Sequence, residues 1–360
     1  MDSLPRQVDV IVMGGGPAGS ATTLLLGKAG LSTLILNPAR KYFSLGETLP
    51  AAAAPVLRHL GVWDSFCEQH QARLAGIASA WGGSSLECRD LFSTHGGSGW
   101  ILDRARFDDM LLHFCKQVST VAIPQGAILV DRPPVRNGWR VHFRESAGER
   151  TVSCRYLVNA TGKGGIRCLP VSNRRTQLDR LIGAVTFFEG KSAPGYALVE
   201  TVDDGWFYSA PVSNSKTAVV YFTDADIYAV RRRKDPEYFV SQLKRTIHTS
   251  ARIHSLVPLT SPKVVSAVTS HMNHTVGCDW ISVGDASCSF DPMSSLGIFK
   301  AIDSAARACS AVIDSLRGRA NWNSYGKWLD QVFKTYLRTR ETFYGQEQRW
   351  KSPFWQRRHA

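Results

Sequence analysis

The chain has 360 residues, 44% of them hydrophobic and 20% charged, with a formal net charge of +13. That balance excludes a disordered chain and a small cross-linked module, and it allows two intimately joined domains. With no repeat, no apolar run of the roughly 18 residues a membrane span needs, and no basic start to a secretory signal, the chain reads as soluble and cytoplasmic.

Residues 8–13 (VDVIVM) predict a short β-branched strand. It runs into Gly14-Gly15-Gly16-Pro17-Ala18-Gly19; residues 20–29 have helix-forming composition, and residues 32–36 (STLIL) predict a second strand. G-x-G-x-x-G framed by β-α-β is a dinucleotide fingerprint. Gly14 serves the tight turn, Gly16 the approach to a pyrophosphate, and Gly19 close helix–strand packing, with the phosphates on the helix amides around Pro17 and Ala18. Where the fingerprint calls for an acid on the ribose, the chain has Asn37, which can bond a hydroxyl without charge, and nearby Arg40 could assist.

Asp103 predicts an N-cap for a helix over residues 105–118, and Arg104 at that end suits a phosphate. Between about residues 181 and 269 the pattern changes to alternating strands (AVTFF, YALVE, GWFYSAP, TAVVYF, VVSAVTS), interrupted by one helix over 236–248. An antiparallel sheet on the substrate side follows from it. Trp206 and Tyr208 share one strand face, where they either pack or line a pocket.

Residues 280–283 predict a strand ending in Gly284-Asp285, and a long helix is expected over 296–316, with Ile298, Ile302, Ala305, Cys309, Val312 and Leu316 on one stripe. Asp285 can accept hydrogen bonds from ribityl hydroxyls. Pro292 and Gly297 let the helix amides approach the pyrimidine end of an isoalloxazine. A site with these two ends implies FAD rather than a nicotinamide cofactor. Residues 321–345 carry aromatic residues at helical spacing, and residues 346–360 read as a basic tail.

The eight cysteines are scattered and the ten histidines lack ligand spacing, so reduced thiols and no metal are expected. Basic residues cluster at Arg231-Arg232-Arg233-Lys234 and Arg357-Arg358 without a nucleic-acid motif, which leaves a solvated face or the steering of an acidic partner.

The order GGGPAG, Gly46-Glu47-Thr48-Leu49-Pro50, Leu102-Asp103-Arg104 with Phe107 and Leu111, then Gly284-Asp285 with Asp291-Pro292, resembles the FAD monooxygenase and flavin-dependent halogenase superfamily across essentially the whole chain. The resemblance implies an α/β fold of the aromatic hydroxylase type. A Rossmann-like FAD-binding domain (residues 1–70, 95–165 and 272–345) would carry an inserted antiparallel-sheet substrate domain (71–94 and 166–271). It also implies that Thr48 and Arg104 contact the cofactor, Arg104 at the phosphates, that backbone near Ile128 meets the adenine, and that Leu296, Gly297 and Ile298 lie under the flavin. Glu47 is the candidate polar group near the flavin, either in catalysis or in cofactor hydrogen bonding.

Residues 157–167 (LVNATGKGGIR) lack the acidic motif tied to NADPH use in aromatic hydroxylases, and no tryptophan fits the W-x-W-x-I-P of tryptophan halogenases. SAWGG (79–83), SGWILDRARFD (98–108), GWFYSAPV (205–212), VVYFTDAD (219–226) and SPFWQRR (352–358) are similar to the compact flavoproteins that mature tryptophylquinone enzymes, such as those serving glycine oxidase and lysine ε-oxidase. That likeness implies O2-dependent hydroxylation of a tryptophan in a precursor protein. The net charge of +13 adds an acidic surface on that partner, and the missing acidic motif at 157–167 adds a separate flavin reductase as electron donor; no nucleic-acid or membrane partner is expected. A small-molecule hydroxylase, halogenase or reductase is the alternative, and a maturation chaperone with structural FAD is the alternative of another class.

Overall fold

The computed structural model describes residues 4–38, 45–90, 97–164, 173–190, 195–213, 215–235, 237–319 and 322–359. β1 (Gln7–Met13) leads into α1 (Pro17–Lys28) and β2 (Thr33–Leu36). β3 (Gly76–Ala80), α2 (Arg104–Lys116), β4 (Gly138–Glu145) and β5 (Gly148–Asn159) follow. Four strands, β6 (Leu181–Glu189), β7 (Tyr196–Val202), β8 (Gly205–Ser213) and β9 (Lys216–Asp224), run into α3 (Ala225–Lys234). β10 (Trp280–Ser282), α4 (Gly297–Leu316), α5 (Trp322–Gln346) and α6 (Pro353–His359) come last.

The first eight-stranded sheet has β1 between β2 and β5, parallel to both, with β10 parallel to β5 and β4 antiparallel to it. A parallel strand covered on both faces must be apolar along its length, and Val10, Ile11 and Val12 have no exposed surface. α1 starts at Pro17 rather than at residue 20, because proline's fixed φ suits the first helical position and Gly16 before it is extended. Gly14 has φ +111°, and a Cβ there would stand 2.4 Å from the Ala160 carbonyl oxygen; one on Gly19 would stand 1.7 Å from that of Gly14. Both glycines therefore permit backbone-to-backbone packing that no other residue allows. Asp103 caps α2, accepting from the Arg106 amide at 3.2 Å.

The second eight-stranded sheet runs from Val257–Pro258 through β6, β9, β8, β7 and β3 to Glu87–Asp90, with Lys263–Ser266 also on β6. Its pairings are antiparallel except β7 with β3. The single helix expected over 236–248 is not formed. Tyr238–Leu243 is one short helix and His248–Ile253 another. The break is set by Glu200 on β7, nearly fully buried, whose carboxylate accepts from the amides of Ile247, His248 and Thr249 and so fixes a new helix start.

The end of the chain is likewise not a free basic tail. α6 packs Phe354 and Trp355 out of solvent beside Tyr344 of α5 and Trp206 of β8. Arg358 is buried on Asp224 at 2.8 Å, and Arg357 bonds Asp224 and Asp226 at 2.8 and 2.7 Å. The apolar face of this segment dominates its charge, so the arginines fold inward onto carboxylates. Arg231 also reaches Asp204, at 3.2 Å, which leaves the exposed positive face of α3 to Arg232, Arg233 and Lys234. Among the described residues no helix is long and apolar enough to cross a membrane, and no cluster of three or more His, Cys, Asp or Glu could hold a metal ion.

Candidate active site

A cleft of about 410 Å³ is lined from both sheets, by the start of α1, the segment around Gly46–Thr48, the loop preceding α4, and β7, β8 and β9. Gly16, Pro17, Ala18, Glu47, Thr48, Arg104, Asp285, Pro292, Gly297 and Ile298 all face it, as do Trp206 and Tyr208. Gly14 and Gly19 build its turn from behind. Leu296 is the N-cap of α4 and does not line it. Asn37 sits against Gly15, where a Cβ would meet its side chain at 2.4 Å. Ile128 lies away from the cleft, 56% exposed on the strand Ile128–Asp131 beside β4. Arg40 falls outside the described residues.

The first turns of α1 and α4 both open into this cleft, and neither has a side-chain cap or an acidic residue. The amides there lack intrahelical partners and carry the positive end of the helix dipole. At Gly297 a Cβ would meet nothing within 4 Å, so the backbone is open to a flat ligand. Pyrophosphate at one helix end and a pyrimidine ring gaining negative charge at the other suit these donors, and FAD fits the set.

Arg104 donates to Glu47 at 2.9 Å and to Asp108 at 3.1 Å. Burial works against its charge, but the two carboxylates hold its pKa above the ordinary value. Glu47 also accepts from the Leu45 amide at 2.8 Å, so it ties the Leu45–Thr48 segment to α2.

Asp285 pairs with Lys300 at 2.9 Å. Burial pushes this carboxyl up, yet Lys300, Lys163 and Arg175 bring it below the usual range. Asp291 is wholly buried and burial holds it above that range, against the pull of Arg340 and hydrogen bonds from the Met293 amide and Tyr344.

The wall opposite the helix ends is aromatic. Trp206 stacks on Phe222 with ring centres 4.1 Å apart, and its Nε1 donates to the Tyr344 hydroxyl at 3.1 Å. Tyr344 in turn donates to Asp291 at 2.7 Å. The Tyr208 hydroxyl donates to the Gly46 carbonyl at 2.6 Å, joining the wall to the Glu47 segment. Sequence reasoning missed Lys163, Arg175, Lys300, Phe222 and Tyr344. One signal was available for Lys300: it shares a helix stripe with the small residues Ser304 and Ala308, where a solvated lysine has no place.

The chain matches the FAD-binding domain family over residues 7–328. LodB of Marinomonas mediterranea, named as an FAD-dependent oxidoreductase, is 31% identical, covering 98% of this chain and 97% of its own. The flavin-dependent halogenase gsfI of Penicillium aethiopicum is 24% identical over 93% of this chain and 70% of its own. Among solved structures, the myxobacterial chondrochloren halogenase CndH superposes with a TM-score of 0.88 at 22% identity, over 99% of this chain and 86% of that one. The peptidyl tryptophan dihydroxylase QhpG, essential for tryptophylquinone cofactor biogenesis, superposes with a TM-score of 0.73 at 24% identity, over 98% and 79%. At these identities the superpositions establish the fold alone, a mixed α/β fold shared with these neighbours.

Proposed function

The chain belongs to the FAD-binding domain family and is an FAD-dependent oxidoreductase, and from that premise we propose that it hydroxylates a tryptophan side chain of a partner precursor protein during biogenesis of cysteine tryptophylquinone. The observation that carries this reading is the cluster of Trp206, Tyr208, Phe222 and Met293, which lines the same cleft as the two open helix ends. An indole is flat and electron-rich, and such a cluster offers it stacking and a dry surface. The peptidyl tryptophan substrate in QhpG's name favours a protein tryptophan over a free small molecule.

When bound and reduced, FAD supplies the activation of O2. The residues of this chain do the rest. Trp206, held by Phe222 and Tyr344, fixes one side of the indole's place. Tyr208 and the Glu47–Arg104 pair keep the loop at residues 45–48 closed against α2, which keeps water from the reacting atoms. Glu47, engaged with Arg104 and the Leu45 amide, serves the geometry of the flavin pocket. Arg232, Arg233 and Lys234, solvent-exposed on α3, favour a partner of acidic surface. The segment 157–167, with no acidic residue, favours a separate flavin reductase as electron donor.

A second reading, halogenation of a small aromatic, is favoured by the halogenase relatives. Supplying the reduced holoprotein with O2 and bromide, in the presence of a tryptophan-bearing precursor or of free tryptophan, separates the two. Oxygenated precursor supports hydroxylation, brominated free tryptophan supports halogenation, and an unmodified precursor held in a stable complex supports a chaperone.

A further inference from the structure

The floor of the cleft holds an ion pair that the proposed chemistry does not use. Lys300 lies in the first turn of α4 and is 4% exposed. Its ammonium donates to Asp285 Oδ1 at 2.9 Å and to the Cys288 carbonyl, and lies 4.4 Å from the Phe290 ring centre. Asp285 differs from its partner: its side chain is 33% exposed and lines the cleft. Burying an ammonium in this way is costly unless it is paired, so the lysine's place is explained by the carboxylate it holds.

We propose that Lys300 is a positioning residue of the flavin site: it keeps Asp285 ionised and aimed into the cleft, where this carboxylate accepts hydrogen bonds from the ribityl hydroxyls of FAD. The inference rests on the assignment of Asp285 to the ribityl chain.

Other charged groups face this pair without taking its place. Arg175 donates to the carbonyls of Asp285 and Ala286 at 3.0 and 2.8 Å and to Ser270 Oγ at 2.7 Å, so it braces the backbone. Lys163 donates to the Ser266 carbonyl at 3.3 Å. The Cys288 thiol stands 4.0 Å from the ammonium, and burial raises its pKa, which keeps it neutral. Asp291 is bonded to Tyr344, and Asp179 to Arg340. Among the described residues Lys300 is the one cation within hydrogen-bond distance of the Asp285 carboxylate.

The sign of the pH effect follows. With Lys300 present the carboxyl titrates below its ordinary value, so the ionised form persists as pH falls. With an apolar residue in its place, only Lys163 and Arg175 remain to oppose burial, so the pKa moves up and the acceptor is lost at a higher pH than in the wild type.

The test is FAD titration by flavin fluorescence from about pH 8.5 to 5. Wild-type affinity is expected to stay flat. Lys300→Met is expected to bind within a few-fold of wild type at the alkaline end and at least about ten-fold more weakly at the acid end. Lys300→Arg should restore a flat profile. Asp285→Asn should bind weakly at every pH, and wild-type affinity there would refute the ribityl assignment itself. A weak Asp285→Asn beside a Lys300→Met whose loss is absent, or equal at all pH values, would overturn the role of Lys300 alone. Should Lys300→Met not fold, the Asp285 carboxyl carbon of the wild-type holoprotein, followed by NMR, decides: titration below about 3.9 supports the proposal, and titration at or above it overturns it.

Discussion

Tyr344 joins α5 to both sides of the cleft through one oxygen atom, and removing that atom has a calculable cost. The side chain has no exposed surface; its hydroxyl accepts from Trp206 Nε1 at 3.1 Å and donates to Asp291 Oδ2 at 2.7 Å. Tyr344→Phe keeps the ring and its contacts with Trp81 and Trp355, centred 5.6 and 6.0 Å away. It leaves a buried indole N–H without its acceptor, at about 1–3 kcal/mol, and takes a hydrogen bond from a buried carboxyl, at about 1.5–3 kcal/mol. Arg340, 3.6 Å from the same oxygen, recovers part of the second term. The sum is about 2–5 kcal/mol, or a fall in Tm of about 3–7 °C for a chain of this length.

The deficit also has a pH signature. Burial already holds Asp291 above its ordinary range, and loss of the Tyr344 donor raises it further. The folded state of the variant then binds more protons than the unfolded chain, so its stability falls as pH rises. Urea unfolding followed by circular dichroism at pH 5 and pH 8 should show the larger loss at pH 8. A variant within about 0.5 kcal/mol of wild type at both values would refute the bridge.

If Arg104 serves the phosphates as proposed, Arg104→Ala, which also strips Glu47 and Asp108 of their shared cation, should lower FAD affinity about 10–100-fold in a fluorescence titration, and wild-type affinity would contradict the assignment. Arg358→Ala strips Asp224, nearly fully buried, of one of its two arginines; a loss of about 3 kcal/mol in urea unfolding is expected because Arg357 remains. Arg232→Glu with Arg233→Glu should weaken association with an acidic precursor, most of all at low salt, since charges beyond a Debye length of about 8 Å are screened at physiological ionic strength. Surface plasmon resonance across a salt series reads that slope, and an unchanged affinity at low salt would remove α3 from the docking surface.

What could be read in advance was local. The glycine turn at 14–19, the cap at Asp103 and the stripe of α4 each declare themselves within a few residues. What could not be read was made by distant meetings. Glu200 restarts a helix some 47 residues away, and Arg358 is buried on a carboxylate 134 residues earlier. No spacing rule reports such pairings, so the chain end looked like a solvated tail although its aromatic residues are core. Tyr344 escaped for the same reason, since its role depends on which loop α5 faces; the helix stripe of Lys300 marks it as buried, but no spacing reports its partner Asp285.

The most direct test of the proposed activity is the intact mass of a tryptophan-bearing precursor co-expressed with this protein and with an Asp285→Ala variant. The account expects a gain of oxygen atoms on the target tryptophan with the wild type and none with the variant. An unmodified precursor, together with efficient hydroxylation or halogenation of a free small aromatic in the absence of any partner, would contradict it.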